Sequence, residues 1–283
     1  MAYYAKSKGQ RVVDWSVHYG LLACFLFFAL FPLFWLFKVA VTPTNLLYSE
    51  GIRMWPSETT WANFAQVMTD TDFPQFFINS AIVSGATALI STLIAAAAGY
   101  SFSRFQYRGK AIIIVLMLIT QMFPLVMLIA PIFRILTPLG LTDSLLGLVV
   151  VYTAFNVPFA TFLMQSFFDG IPKDLEEAAM IDGNTRFGAL VKIIFPLTLP
   201  GIAATLGFVF TAAWSELLFA LMLVSSPDAV TFPVGLLTFI SKFSVDFGQM
   251  MAAGFLALIP AAIFFFLIQR YLVQGLTAGA VKG

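Results

Sequence analysis

The chain has 283 residues, of which 60% are hydrophobic and only 10% charged, and its mean hydropathy is +0.93. A soluble domain is roughly a quarter charged, so this composition cannot cover a globule with solvated side chains, and a water-soluble enzyme is excluded. The net charge of +1, from 15 Lys and Arg against 14 Asp and Glu, offers no electrostatic footprint for nucleic acid. One cysteine, Cys24, and one histidine, His18, leave no pair for a disulfide and no cluster for a metal site.

A hydrocarbon core of ~30 Å takes about 20 apolar residues in helical form. Six stretches reach that length, over 17–41, 76–103, 111–133, 145–168, 197–224 and 252–273. They predict an all-α integral membrane protein with six transmembrane helices in one domain over 1–283. Trp15, Trp35 and Tyr271 are the amphipathic aromatics expected near the interfaces.

The first stretch follows Lys6, Lys8 and Arg11. Its apolar run is longer than the roughly 7–15 residues of a signal peptide, and no small-x-small site follows, so it is expected to remain as a helix. The segment 42–75 that comes next is polar and carries Glu50, Glu58, Asp70 and Asp72. In the second stretch Ser91, Ala95, Gly99 and Ser103 recur every fourth position, so they share one helix face and predict close packing against another helix. The third holds Gln121, Pro124 and Pro131, the fourth Asn156, Pro158 and Gln165, and Pro200 and Pro260 lie in the fifth and sixth. A proline removes a helix hydrogen bond and bends the axis, and an amide at membrane depth either lines a pathway or bonds a neighbouring helix.

After the fourth stretch, residues 169–196 form a charged segment ahead of the fifth. Pro172 suits a first helical turn, Asp174, Glu176 and Glu177 favour its positive end, and Gly183 suits a C-terminal stop. Asn184 or Thr185 is placed to cap a second short helix that ends before Pro196. Leu175, Ala178, Ala179 and Asp182 fall at i, i+3, i+4 and i+7, a narrow face that fits either a partner's groove or the chain's own bundle.

In the fifth stretch Glu216 is the one acidic residue well inside a span. An intramembrane carboxylate is costly and marks a functional site by default. Three roles are open to it: facing a translocation cavity, accepting hydrogen bonds from a sugar, or carrying a proton. A fourth is structural, a carboxylate held by neighbouring hydroxyls and amides. The segment 225–251 is polar and, like 42–75, too short for a domain.

Basic residues are retained on the cytoplasmic side. Eleven fall in one set of segments, the termini and the 104–110 and 169–196 loops, against four on the other side, Arg53, Arg134, Lys242 and a snorkelling Lys38. Both termini are therefore expected inside.

Glu177-Ala178-Ala179, Gly183, and then Ile193 and Pro196 resemble the EAA loop of binding-protein-dependent ABC importer permeases. Phe195 stands where that family usually has Leu. Gln269-Arg270-Tyr271 with 275–283, Gln121-Met-Phe-Pro124 and Trp214-Ser-Glu216 are similar to the MalG-like branch, the maltose-type sugar permeases. The resemblance covers nearly the whole chain in span count and loop order.

It implies a type I importer (MetI-like) bundle in the bacterial cytoplasmic (inner) membrane that forms half of a translocation pathway for sugars or oligosaccharides. The implied partners are a second permease subunit, a cytoplasmic ATPase dimer and an extracytoplasmic sugar-binding protein. Coupling to the ATPase would run through Glu177, Ala178, Ala179, Asp182 and Gly183. Glu216, Asn156 and Gln121 are the candidate pathway residues. ATP and Mg would sit on the partner, with no cofactor on this chain.

The chain lacks the phosphate-binding G-x-x-x-x-G-K-[ST], since Arg104 stands where the first glycine before Gly109-Lys110 belongs and Ala111 follows. It also lacks H-E-x-x-H and G-x-S-x-G, so it is expected to be a non-catalytic transport subunit. Two other readings compete. An ABC permease for a polyol or a phosphorylated compound would share every coupling feature. An ion-coupled secondary transporter with Glu216 as proton carrier fits less well, for no inverted repeat is visible.

Overall fold

The computed structural model describes residues 8–241 and 244–280, with side chains over 13–241 and 244–269. Lys6, Lys242 and Lys282, the side chains of Lys8, Arg11 and Arg270, and those of the C-terminal motif from Tyr271 onward lie outside the described residues. Every regular element described is a helix, apart from one isolated antiparallel bridge between Ile240 and Val245. In chain order they are α1 (Lys8–Ala40), α2 (Thr44–Ser49), α3 (Ala62–Thr69), α4 (Phe73–Arg104), α5 (Lys110–Met122), α6 (Leu125–Leu136) and α7 (Leu145–Asp169). There follow α8 (Asp174–Ile181), α9 (Arg186–Ala189), α10 (Phe195–Leu197), α11 (Leu199–Trp214), α12 (Leu218–Leu223), α13 (Phe232–Gly235) and α14 (Phe247–Ala280).

Among the described residues four helices are long and apolar enough to cross a membrane alone: Val13–Ala40 of α1, α4, α7 and Phe247–Gln269 of α14. The number rises to six if two bent pairs each count as one span, Lys110–Met122 with Leu125–Leu139 at 105° and Arg186–Leu197 with Leu199–Trp214 at 69°. Two of the expected helices are therefore not continuous.

The first correction concerns 111–133. α5 ends at Met122, and Phe123 and Pro124 both take extended conformations, with ψ of 131° and 121°. Proline disfavours the helical region for the residue before it and has no N–H to continue the ladder. The 13 residues of α5 rise only about 20 Å, short of the ~30 Å core.

The second correction concerns 197–224. Pro196 cannot donate to the preceding turn, and residues 190–194 widen into a π-helical turn in which the Phe195 N–H reaches the Leu190 carbonyl. The axis then bends before α11, and Ser215–Leu217 interrupts the helix again ahead of α12.

The chain divides into two compact units, Met1–Thr71 with Phe239–Leu256 and Asp72–Thr238 with Ala257–Gly283. In the first, the buried Asn63 of α3 donates to the Ala40 and Thr42 carbonyls at 2.8 and 3.0 Å, satisfying the end of α1. Phe37, Phe64 and Phe255 pack ring against ring, with Phe37 and Phe255 5.1 Å apart. Lys38 is buried rather than snorkelling, its Nζ 5.0 Å from the centre of the Trp35 ring. The polar 42–75 segment is ordered by α2, α3 and a Glu50 carboxylate that accepts from both the backbone and hydroxyl of Ser57.

The second unit is built on α4, α7 and α11. The expected small-residue face of α4 is buried throughout, at Ser91, Ala95, Gly99 and Ser103. A Cβ on Gly99 would lie 2.8 Å from the Gln165 backbone nitrogen and 2.9 Å from the Met164 Cβ, so glycine is what lets α4 and α7 approach. Trp214 ends α11 by donating to the Ala257 carbonyl of α14 at 3.2 Å, and Phe210 stacks on Phe264 at 4.2 Å. At one end of α4, Asn79 donates to the Asp228 and Val230 carbonyls, and the Ser80 hydroxyl accepts from the Phe232 N–H. These bonds tie the 225–232 segment to the bundle.

Candidate functional site

Two regions carry the chemistry that the sequence points to. The first is a cavity of about 280 Å³ in the second unit, where the broken helices meet α7. Its polar lining is Thr120, Gln121, Tyr152, Asn156 and Glu216, and its apolar walls include Phe123, Leu125, Phe155 and Phe219. Gln121, Asn156 and Glu216, three residues far apart in sequence, are thus brought to one space. The breaks bring them there: Gln121 lies just before the Pro124 kink, and Glu216 lies in the interruption between α11 and α12.

Glu216 is held at several points. The Tyr152 hydroxyl donates to its Oε2 at 2.6 Å, the Phe219 N–H to Oε1 at 2.9 Å and the Ala220 N–H to Oε2 at 3.2 Å. The two amides are among those an interrupted helix leaves without partners, so the carboxylate caps α12. It serves the structural role and lines the cavity at once. A carboxylate has about four acceptor positions, so one remains, on Oε1.

The two amides are also partly engaged. Asn156 donates one N–H to the Tyr152 carbonyl at 2.8 Å, and Gln121 donates one to the Phe155 carbonyl at 3.3 Å. Each keeps a second N–H and its oxygen. The Phe155 and Phe219 rings stack at 5.0 Å with 23° between their planes, with Phe219 buried behind the half-buried Phe155. Gln165 lies elsewhere: its amide reaches Asp169 at 3.4 Å. Sequence reasoning missed Tyr152, although Tyr152, Phe155 and Asn156 fall at i, i+3 and i+4 and therefore share a face of α7.

The second region is the 169–196 segment. α8 ends as expected at Gly183, whose φ of +87° is the left-handed conformation that glycine takes without strain. The Gly183 N–H bonds the Met180 carbonyl at 3.1 Å and the Asn184 N–H the Ala179 carbonyl at 3.0 Å, the paired bonds of a Schellman motif. Of the two candidate caps for the next helix, Thr185 takes the part, accepting from the Gly188 N–H at 3.0 Å.

The anchor of this segment is Glu176, which the sequence did not single out. Its Oε1 lies 2.5 Å from the Arg104 Nε, with the two side chains 8% and 5% exposed, and the Tyr100 hydroxyl donates to Oε2 at 3.0 Å. Arg104 also donates to the Ile171 carbonyl and to Ser103, which in turn donates to Asp169. Ala179 follows Glu176 at i+3 and is buried with it. The predicted narrow face is therefore split. Ala179 packs inward, while Leu175, Glu177, Ala178, Asp182 and Gly183 remain exposed. Ile181 and Phe187, 86% and 73% exposed, extend this surface with apolar side chains.

Residues 91–278 match the family described as binding-protein-dependent transport system inner membrane component. The chain is 35% identical over 276 residues to the trehalose transport system permease protein SugB of Mycobacterium tuberculosis, covering 97% of this chain and 99% of that one. It is 36% identical to the trehalose/maltose transport system permease protein MalG of Thermococcus litoralis, covering 90% and 92%. It is also 36% identical to the sulfoquinovosyl glycerol transport system permease protein SmoH of Agrobacterium fabrum, covering 90% and 89%. Among solved structures, a chain of a bacterial ABC transporter described as importing the acidic polysaccharide alginate superposes with a TM-score of 0.76 at 23% identity, over 96% of this chain and all of that one. The chain belongs to this family of membrane permeases and is a multi-pass membrane protein.

Proposed function

We propose that the chain is one permease subunit of an ATP-driven importer for sugars or oligosaccharides, inserted in a bacterial cytoplasmic membrane with both termini inside. It would pair with a second permease, two copies of an ATPase and an extracytoplasmic binding protein. The observation that carries this reading is α8, a helix anchored to the bundle on one side and exposed on the other. Its exposed face is apolar at Leu175, Ala178 and Ile181 and acidic at Glu177 and Asp182. A surface rimmed by charge with apolar side chains at its centre suits a protein partner rather than lipid or water. The curated relatives named above are permeases of saccharide transport systems, which supports sugar as the cargo.

In this reading the ATPases close on ATP and displace α8, with Glu177 paired to a basic residue of the partner and Gly183 permitting the turn behind it. The Glu176–Arg104 bridge passes the displacement to α4, and α4 is packed along its length on α7. The spans then exchange inward-facing and outward-facing arrangements around the Gln121, Asn156 and Glu216 cavity. The partner would bind ATP and Mg; this chain would supply no catalytic group.

The test is ATP-dependent uptake by proteoliposomes holding the complex co-expressed with its chromosomal neighbours. Glu177→Lys is expected to abolish uptake while the chain still inserts and assembles with the second permease. Uptake at the parental rate in that variant, or uptake by the chain alone without ATP, would overturn the reading.

A further inference from the structure

Resting on the sugar-importer reading, we propose that the Gln121, Asn156 and Glu216 cavity is a subsite for a single uncharged sugar ring, with Glu216 acting as a charge filter against acidic saccharides. The size sets the first limit. At about 280 Å³ the part of the cavity that this chain lines sits just under the roughly 300–1,000 Å³ that enclose drug-sized ligands, enough to seat one sugar ring.

The lining sets the chemistry. A pyranose presents an apolar face of C–H groups and a rim of hydroxyls. Phe155, half-buried and backed by the buried Phe219 that stacks on it, gives an aromatic surface that suits polarised C–H groups. Opposite chemistry is available beside it: an unused N–H and oxygen on each of Gln121 and Asn156, the Thr120 hydroxyl oxygen as an acceptor, its proton being on the Met117 carbonyl, and the remaining acceptor position of Glu216. Sugar hydroxyls both donate and accept, so a mixed set of this kind can satisfy them.

The charge decides between classes of sugar. Glu216 is the one carboxylic acid among the lining residues, and no Lys, Arg or His stands among them. Its hydrogen bonds come from the Tyr152 hydroxyl and two backbone amides, none of which carries a positive charge. A uronate or sulfonate entering the cavity meets a like charge with no cation beside it, whereas an uncharged ring meets only an extra acceptor.

The single cysteine of the chain makes the test direct. In the assembled complex with Cys24→Ser, a reporter cysteine is introduced at a lining residue that makes none of these hydrogen bonds, by Ala212→Cys, and in a second variant by Leu125→Cys. Its rate of labelling is measured with methanethiosulfonate reagents of equal size bearing a positive or a negative charge. The cation is expected to react several-fold faster, and adding Glu216→Gln is expected to bring the ratio close to one. Labelling is then repeated in the presence of methyl glucoside, galactoside and mannoside and their uronate counterparts at equal concentration. At least one neutral glycoside is expected to slow labelling and no uronate is.

Protection by a uronate, protection by no glycoside in either reporter variant, or a charge ratio indifferent to Glu216→Gln would each overturn the subsite. ATP-dependent uptake by the parental complex, measured alongside, separates this failure from that of the importer reading. Uptake with no protection removes the subsite alone, and no uptake of any saccharide removes the reading on which it rests.

Discussion

Removing Arg104 should release α8 from the bundle, and removing Glu176 should do so less. The two side chains are 5% and 8% exposed with 2.5 Å between Nε and Oε1, so the pair is a buried one. Breaking such a pair by deleting one partner costs about 3–5 kcal/mol, since the survivor is left buried without its counter-charge. The survivors differ. In Arg104→Met, Glu176 retains only the Tyr100 hydroxyl. In Glu176→Gln, Arg104 retains the Ile171 carbonyl and Ser103, itself bonded to Asp169, and Tyr100 retains an acceptor. The first variant should fall within that range, and the second near the lower end of the ~1.5–3 kcal/mol of a lost hydrogen bond to a charged group.

Hydrogen exchange of the 174–181 peptide reads this directly, since local opening governs amide protection. At 1.4 kcal/mol per tenfold, Arg104→Met should lower protection by about a hundredfold or more and Glu176→Gln by about tenfold. Equal protection in parent and Arg104→Met, or greater loss in Glu176→Gln, would refute the view that α8 is held by this bridge.

Three further outcomes follow from other contacts. Gly99→Val places carbon within 3 Å of the Met164 Cβ and the Gln165 nitrogen, whereas a Cβ at Gly85 meets nothing within 4 Å. Gly99→Val should lower the melting temperature in detergent by the equivalent of about 1–3 kcal/mol, while Gly85→Ala leaves it unchanged or raises it. At Gly183 the surroundings are open and only the positive φ opposes a side chain. Gly183→Ala should therefore cost about 1–2 kcal/mol and Gly183→Asn less, read as faster exchange of the Asn184 amide.

Asp143 accepts from the Ser225 and Ser226 N–H groups at 2.8 and 2.9 Å, and these bonds hold its carboxyl below the ordinary 3.8. A depressed carboxyl stabilises the fold above its unfolded value and loses that contribution as pH falls through its folded value. Melting from about pH 5 to about pH 2.5 should then fall more steeply for the parent than for Asp143→Asn. Parallel profiles would show that the bonds contribute nothing.

Much of the local structure was legible because its causes are local. The missing N–H of Pro124 was readable as a site of bending and Gly183 as a helix end, whereas Pro131, Pro158 and Pro260 carry the same signal inside α6, α7 and α14, which continue past them. The four-residue spacing of Ser91, Ala95, Gly99 and Ser103 was enough to predict a tight helix contact, since it needs only helical geometry. The same local rules could not measure a bend. A proline permits a kink of many sizes, and the 105° between 110–122 and 125–139 was not readable from Pro124.

The site depended more on the tertiary fold. Composition and motif alone marked Gln121, Asn156 and Glu216 as costly groups at membrane depth and marked 169–196 as a two-helix segment, because the expense of polarity in hydrocarbon is a property of the residue itself. Their meeting in one cavity, the Tyr152 hydroxyl on Glu216, and the pairing of Glu176 with Arg104 across 72 residues were not readable. Burial is what decided between Glu176 and its neighbour Glu177. Adjacent positions on a helix lie about 100° apart, so one faces the bundle and finds a counter-charge while the other faces outward, and which is which depends on where α4 ends.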